Sequence, residues 1–251
     1  MKTFWNILSI AVLVCVAAVA IKPADATAAE KVYVIAHDAT WPPMEFIDQN
    51  KNIVGFSPEL IDAIAEAAGF KIEHKNVAWD GIFAGLAAKK YDIVCSSVSI
   101  TEKRKKAMLF TDPYYEVQQA LIVAKDSGVT SLADLKGKPV GAQIGTTGYF
   151  AIKESVATPK SYDEVGLAIE DLKNGRLSGV VCDEPVAADY ALQQYKDSMK
   201  IAAVITTKEK EFYGMAAAKD NQEFVALVNK GLKIVRENGT YDKIAAKWFG
   251  N

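Results

Sequence analysis

The sequence predicts an α/β protein of two lobes joined by short crossings. Strand signals and helix signals alternate along the chain, the alternation restarts after Thr111-Asp112-Pro113-Tyr114, and no low-complexity linker parts the two sets. Two lobes without a long linker call for short hinges.

The elements follow in order. Lys2 precedes an apolar run from Ile7 to Ile21, and Ala26-Thr27-Ala28 then offers the small residues a signal peptidase needs. Residues 1–28 are expected to be a secretory leader, because the run is shorter than the roughly 20 residues that span a bilayer. Val14 before Cys15 argues against a lipid anchor, and no later segment is apolar enough to cross a membrane. The mature chain is expected in the periplasm. Its leader carries Lys2, Lys22 and Asp25, a net +1, so the formal charge moves from −2 to −3 on removal. A mildly acidic chain of this kind has no basic bias towards nucleic acid.

Val32 to Ala36 reads as a short apolar strand. Ser57-Pro58 then reads as the cap of a helix with Leu60, Ile61, Ile64, Ala65 and Ala68 on one stripe, stopped by Gly69. A strand over 71–77, a helix from Trp79 to Ala88 and a strand from Ile93 to Ser96 complete the first set. The second set has strands over 120–124 and 139–142, a glycine-bounded turn, a helix opened by Ser161…Glu164 as a capping box, and a strand over 179–182. Another strand appears near 213–218, before amphipathic helices over 222–237 and 241–248. Strand-like crossings near Glu116 and Gly214 would join the lobes.

The stretch CSSVSITEKRKKAMLFTDPY, Cys95 to Tyr114, carries the most chemistry. Ser96, Ser97 and Ser99 stand at a strand's end and Arg104 at a helix start; hydroxyls beside a forked guanidinium make a socket for a carboxylate. The flanking Lys103, Lys105 and Lys106 read as a solvated helix face. Cys95 and Cys182 end apolar strands and read as small buried side chains rather than a bridge. With only those two mature cysteines and two isolated histidines, His37 and His74, the chain offers no metal site.

Six segments, HDATWPPMEF, IVGFSPELIDAIAEAAG, WDGIFAGLAAKKYDIV, SSVSITEKRKKAMLFTDPYY, LADLKGKPVGAQIGTTG and GVVCDEPVA, stand in the order and spacing of one family. Over its whole mature length the chain resembles a periplasmic solute-binding protein of the polar amino-acid family, the receptor component of an ABC importer.

The resemblance implies the type II periplasmic-binding-protein fold, with a ligand cleft between lobe 1 (residues 29–116 and 214–251) and lobe 2 (residues 117–213). It implies that Arg104 and Ser99 clamp an amino acid's α-carboxylate, with Thr147 and the backbone N–H groups of Gly145-Thr146-Thr147-Gly148 closing over the same group at a helix start. Asp183, which the residues alone would make a helix cap, takes the α-ammonium. Trp41 and Trp79 flank the ligand side chain, and Ser96 and Ser97 line the socket. Asp38, helped by Ser96, meets a distal cation. Gln143 stands where glutamine binders of the family can carry a lysine, which would repel such a cation.

Charge then orders the ligands. Asp38, Asp183 and Arg104 give the pocket −1, which a zwitterion with a cationic side chain cancels, so arginine, lysine or ornithine come before glutamine, and glutamine before acidic amino acids. Histidine stays open. The implied partners are the amino acid and a membrane permease, with a monomeric receptor and no cofactor. Two other classes stay in view. Some relatives with this fold are enzymes of the cyclohexadienyl dehydratase kind, for which Glu184 is the candidate general acid. A sensor ectodomain is the other, although such chains continue into a membrane helix and this one stops at Asn251.

Overall fold

The computed structural model describes residues 31–205 and 210–250, so the expected secretory leader lies outside the described residues. In chain order the first elements are β1 (Val32–His37), β2 (Thr40–Trp41), β3 (Glu45–Ile47), β4 (Ile53–Val54), α1 (Phe56–Ala68), β5 (Lys71–Asn76), α2 (Ile82–Ala87), β6 (Ile93–Val94), α3 (Glu102–Ala107), β7 (Leu109–Phe110) and β8 (Tyr115–Val117). Next come β9 (Gln119–Ala124), β10 (Pro139–Gln143), α4 (Thr147–Lys153), β11 (Thr158–Tyr162), α5 (Val165–Lys173), β12 (Gly179–Asp183), α6 (Glu184–Ala188) and β13 (Met199–Ile205). The chain ends with β14 (Glu211–Tyr213), β15 (Ala216–Ala217), α7 (Gln222–Glu237) and α8 (Thr240–Phe249).

These elements assemble two five-stranded sheets, ordered β5-β1-β6-β15-β7 and β11-β10-β12-β9-β13. In the first sheet β1 runs parallel to β5 and β6, while β15 arrives from the far end of the chain antiparallel to β6 and β7. In the second, β10 is parallel to β11 and β12, and β9 is antiparallel to β12 and β13. Between the sheets β8 pairs with β14, antiparallel, from Val117 opposite Glu211 to Tyr115 opposite Tyr213. The sheets form two lobes and that pair crosses between them.

Core packing explains the order of elements in the first lobe. The apolar stripe of α1 buries Leu60, Ile61 and Ile64 completely, and each such side chain contributes about 1.5–3 kcal/mol on leaving water. The stripe meets α7, whose Gly231 lets the helices approach: a Cβ there would lie 2.5 Å from the Ile64 carbonyl oxygen. Cys95 and Cys182 are buried and unbridged, one in each lobe.

Several local expectations are corrected. Gly55, not Ser57, is the N-cap of α1; its φ is 133° and a Cβ there would lie 2.3 Å from the Met44 carbonyl oxygen, which together reserve the place for glycine. Ser57 is already helical, buried beside the Tyr114 hydroxyl at 3.4 Å. Helix α2 starts after a left-handed Gly81, so Trp79 precedes it rather than opening it. Ser161 lies in β11 and caps nothing; α5 begins after Glu164. β11 is an edge strand whose TPKSY sequence lacks the apolar alternation of a buried strand. The histidines are not isolated: His37 Nε2 lies 2.8 Å from His74 Nδ1, and His74 Nε2 lies 3.0 Å from Asp62 Oδ1. Burial and the second imidazole push His37 down to about 3.

Candidate functional site

Parallel strands aim their carboxyl ends at a common crevice, and both sheets do so here. β1 delivers Asp38, β6 leads into Ser96, Ser97 and Ser99, β10 ends on Gln143, and β12 ends on Asp183. Helix α4 starts at Thr147 and α3 carries Arg104. The two walls close on a narrow cavity of about 20 Å³ lined by Asp38, Trp41, Glu45, Trp79, Ser96, Ser97, Ser99, Arg104, Gln143, Thr146, Thr147 and Asp183. All ten residues singled out from the sequence therefore meet at one place, joined by Glu45 and Thr146.

Arg104 is fixed from both sides. Thr101 Oγ1 caps α3 by accepting the Arg104 backbone N–H at 3.1 Å, and the guanidinium donates to the Ser99 carbonyl at 2.9 Å and across the cleft to the Gly145 carbonyl at 3.2 Å. It also lies 5.5 Å from the centre of the Trp79 ring and 5.4 Å from that of Phe83. Burial lowers its proton affinity, while Asp183 and Glu211 act the other way. The guanidinium is positioned without being neutralised by a salt bridge at either contact.

Thr147 and Asp183 belong to the same connected group. Thr147 Oγ1 stands 3.3 Å from Ser99 Oγ, donates to Glu211 Oε1 at 2.6 Å and accepts from Gln119 Nε2 at 3.1 Å. Gln119 Nε2 donates in turn to Asp183, as do the Tyr213 hydroxyl and, at 3.3 Å, Trp41 Nε1. None of the Asp183 contacts is a bond to the first turn of α6, so its side chain faces the cavity and does not cap. Burial raises the Asp183 carboxyl, Glu211 raises it further, and the three donors oppose them.

A second group lies around Asp38. Its backbone N–H donates to Ser96 Oγ at 2.8 Å, and its carboxylate accepts from Thr40 Oγ1 at 2.9 Å and from Gln143 Nε2 at 2.7 Å. Burial raises this carboxyl, and the Gln143 and Thr40 donors partly offset that. Gln143 Nε2 also donates to the Asp163 carbonyl at 2.7 Å, so its amide is oriented from its own lobe.

Sequence reasoning missed Glu45, Gln119, Glu211 and Tyr213, and named Thr146 only for its backbone N–H. Glu45 is fully buried, and its Oε2 accepts from Ser97 Oγ at 3.1 Å. Ser97 itself has a left-handed φ of 46°. Cross-strand register pairs Trp41 with Glu45, which places both on one face of the β2–β3 hairpin. Glu184 does not line the cavity; it lies in a separate groove with Pro43 and Tyr115.

The arrangement can hold a zwitterion at the Arg104–Thr147–Asp183 group and a polar side chain at the Asp38–Gln143 group. Among the described residues no group of three or more His, Cys, Asp and Glu side chains is placed to hold a metal ion, and no helix is long and apolar enough to cross a membrane.

The model of the bacterial extracellular solute-binding proteins, family 3, matches residues 33–251. Among proteins, the chain is 40% identical over 237 residues to the "Probable histidine-binding protein" of Neisseria gonorrhoeae, covering 91% of this chain and 87% of that one. Among structures, it is similar to an arginine-, lysine-, histidine-binding protein from Geobacillus stearothermophilus, with a TM-score of 0.82, 36% identity, and coverage of 88% of this chain and 96% of that one. An ancestral arginine-binding protein bound to glutamine aligns with a TM-score of 0.81 and 41% identity, covering 88% and 98% of the two chains. With a family model spanning nearly all of the described residues and relatives of this identity over most of their length, the chain belongs to the bacterial extracellular solute-binding proteins, family 3.

Proposed function

We propose that the protein captures a basic amino acid, arginine, lysine or ornithine, in the periplasm and delivers it to the permease of an ABC importer. The observation that carries this reading is the separation of the cavity into two polar groups. One holds a cation, an anion and a helix N-terminus for the ligand's zwitterionic head; the other holds the carboxylate of Asp38 for its tail. Names among the relatives support it, since they include histidine, arginine and lysine binders. A relative bound to glutamine supports the neutral amide as the next ligand in order.

Binding proceeds without chemistry. Arg104, Ser99, Trp41, Trp79 and Asp38 meet the ligand from lobe 1, and rotation about the crossings β8 and β14 brings Thr147, Gln143 and Asp183 from lobe 2. The closed monomer is the form the permease recognises. Glu184, the candidate general acid for prephenate-type chemistry, lies in another groove.

A thermal-shift screen of the mature, ligand-stripped protein against the amino acids and ornithine tests the reading, since a ligand at 100 times its Kd adds about 2.7 kcal/mol. A rise confined to basic amino acids is expected. A rise with glutamine alone would overturn the charge order, and turnover of prephenate would overturn the reading as a binding protein.

A further inference from the structure

Glu45 has no part in the proposed function so far. Its side chain is fully buried and lines the cavity; Oε2 accepts from Ser97, the Ser57 hydroxyl stands near enough to act against the effect of burial, and no hydrogen bond of ordinary geometry reaches Oε1. Unpaired polar atoms at full burial are rare because each forfeits the hydrogen bond it had in water. This one is in the wall of a ligand cavity.

Its surroundings explain what it lacks. The ionisable groups acting on Glu45, or on which it acts, are Asp38 after β1, Cys95 after β6, Tyr114 before β8, Asp183 at the end of β12 and Tyr213 on β14. Every one of them is neutral or negative when it titrates, and none can balance a carboxylate. The cavity's cation, Arg104, has backbone carbonyls of Ser99 and Gly145 as its hydrogen-bond partners. Burial accordingly holds Glu45 well above the usual carboxylate range.

We propose that Glu45 is a selectivity residue whose free oxygen receives the side chain of a cationic ligand, giving up its proton to solvent as that cation enters and keeping it when the ligand is neutral. The inference rests on the reading of the site as an amino-acid pocket and sharpens it. One cavity then accommodates both ligand charges: with a cation Glu45 becomes a carboxylate partner, and with glutamine it stays a neutral carboxylic acid able to donate or accept. One O–H bond of Glu45 breaks, the proton goes to buffer, and the ligand's single positive charge is then shared between the carboxylates of Glu45 and Asp38.

The test is calorimetric titration of the mature protein at pH 7 with arginine and with glutamine, each in phosphate and in Tris, whose ionisation enthalpies differ. Arginine is expected to release up to about one proton and glutamine none. In Glu45→Gln the proton release disappears and arginine weakens about tenfold, as for loss of a hydrogen bond to a charged group, while glutamine changes by less than about threefold. Ser97→Ala separates a structural role: it leaves the carboxyl and removes its hydroxyl partner, so proton release persists. Arginine binding without proton release in wild type overturns the inference and leaves the amino-acid reading standing, even if Glu45→Gln fails to fold. Loss of arginine binding in Ser97→Ala equal to that in Glu45→Gln also overturns it, making Glu45 a brace for the Ser97 turn. If wild type binds no cationic amino acid, the ligand class itself is wrong and the inference falls with it.

Discussion

On the wall of the cavity supplied by the first sheet, Ser96, Ser97, Ser99 and Arg104 come from one nine-residue stretch, whereas the opposite wall takes Gln143, Thr147 and Asp183 from three separate element ends. The first wall is held largely within its own lobe, with Arg104 fixed by its helix cap and by Ser99 and reaching across the cleft only to the Gly145 carbonyl. Asp183 depends for one of its donors, Trp41, on the other lobe. A site divided this way should use one wall for encounter and the other for retention.

The largest effect that would break this contrast is expected from Arg104→Ala. Removing the guanidinium that lines the cavity should weaken every amino acid by roughly a hundredfold or more, as truncation of a buried charge pair does, read by calorimetry. A loss restricted to one ligand would sink the assignment of Arg104 to the carboxylate common to all of them. Asp38→Asn comes next: arginine should lose about tenfold while glutamine stays within about threefold. Equal losses for the two ligands would remove the distinction between head and tail groups.

Glu45→Gln sharpens the comparison through pH. The folded protein keeps a proton that an unfolded chain releases above about pH 4.5, so wild-type stability falls as pH rises from there towards the raised folded value, by up to about 1.4 kcal/mol per pH unit. A glutamine does not titrate. The ligand-free variant should therefore gain thermal midpoint over wild type at pH 7 but not at pH 4, and a gain independent of pH would contradict the buried, protonated state. The smallest effect is expected from Thr147→Val, about 0.5–1.5 kcal/mol for all ligands and mainly in the dissociation rate, measured by stopped flow. A slower association instead would place Thr147 on the encounter wall.

The same contrast explains what could be read from the sequence. Ser96 to Arg104 was legible because its hydroxyls and guanidinium are neighbours in the chain. Asp183 and Thr147 became candidates only through the family resemblance, since a lone Asp before a helix or a GTTG turn has ordinary structural roles. Glu45 was hidden because strands of two and three residues are too short to show alternation, and its pairing with Trp41 is a tertiary fact. Fold class followed from the strand and helix alternation, and α7 matches the amphipathic pattern from Gln222 to Glu237. The misplaced helix caps failed for physical reasons: Ser57 is buried beneath Tyr114, and the register of β11 with β10 outweighs a local capping motif at Ser161.

The placement of β15 between β6 and β7 has a consequence for how the chain comes to be folded. The second sheet draws on one continuous span, Gln119 to Ile205, and can close as soon as that span is available. The first sheet, begun by Val32, waits for Ala216 and Ala217, and α1 waits for Gly231. As the chain emerges from its N-terminus, the half of the site that carries Arg104 is therefore the last to be completed, because β15 and α7 come from the end of the sequence.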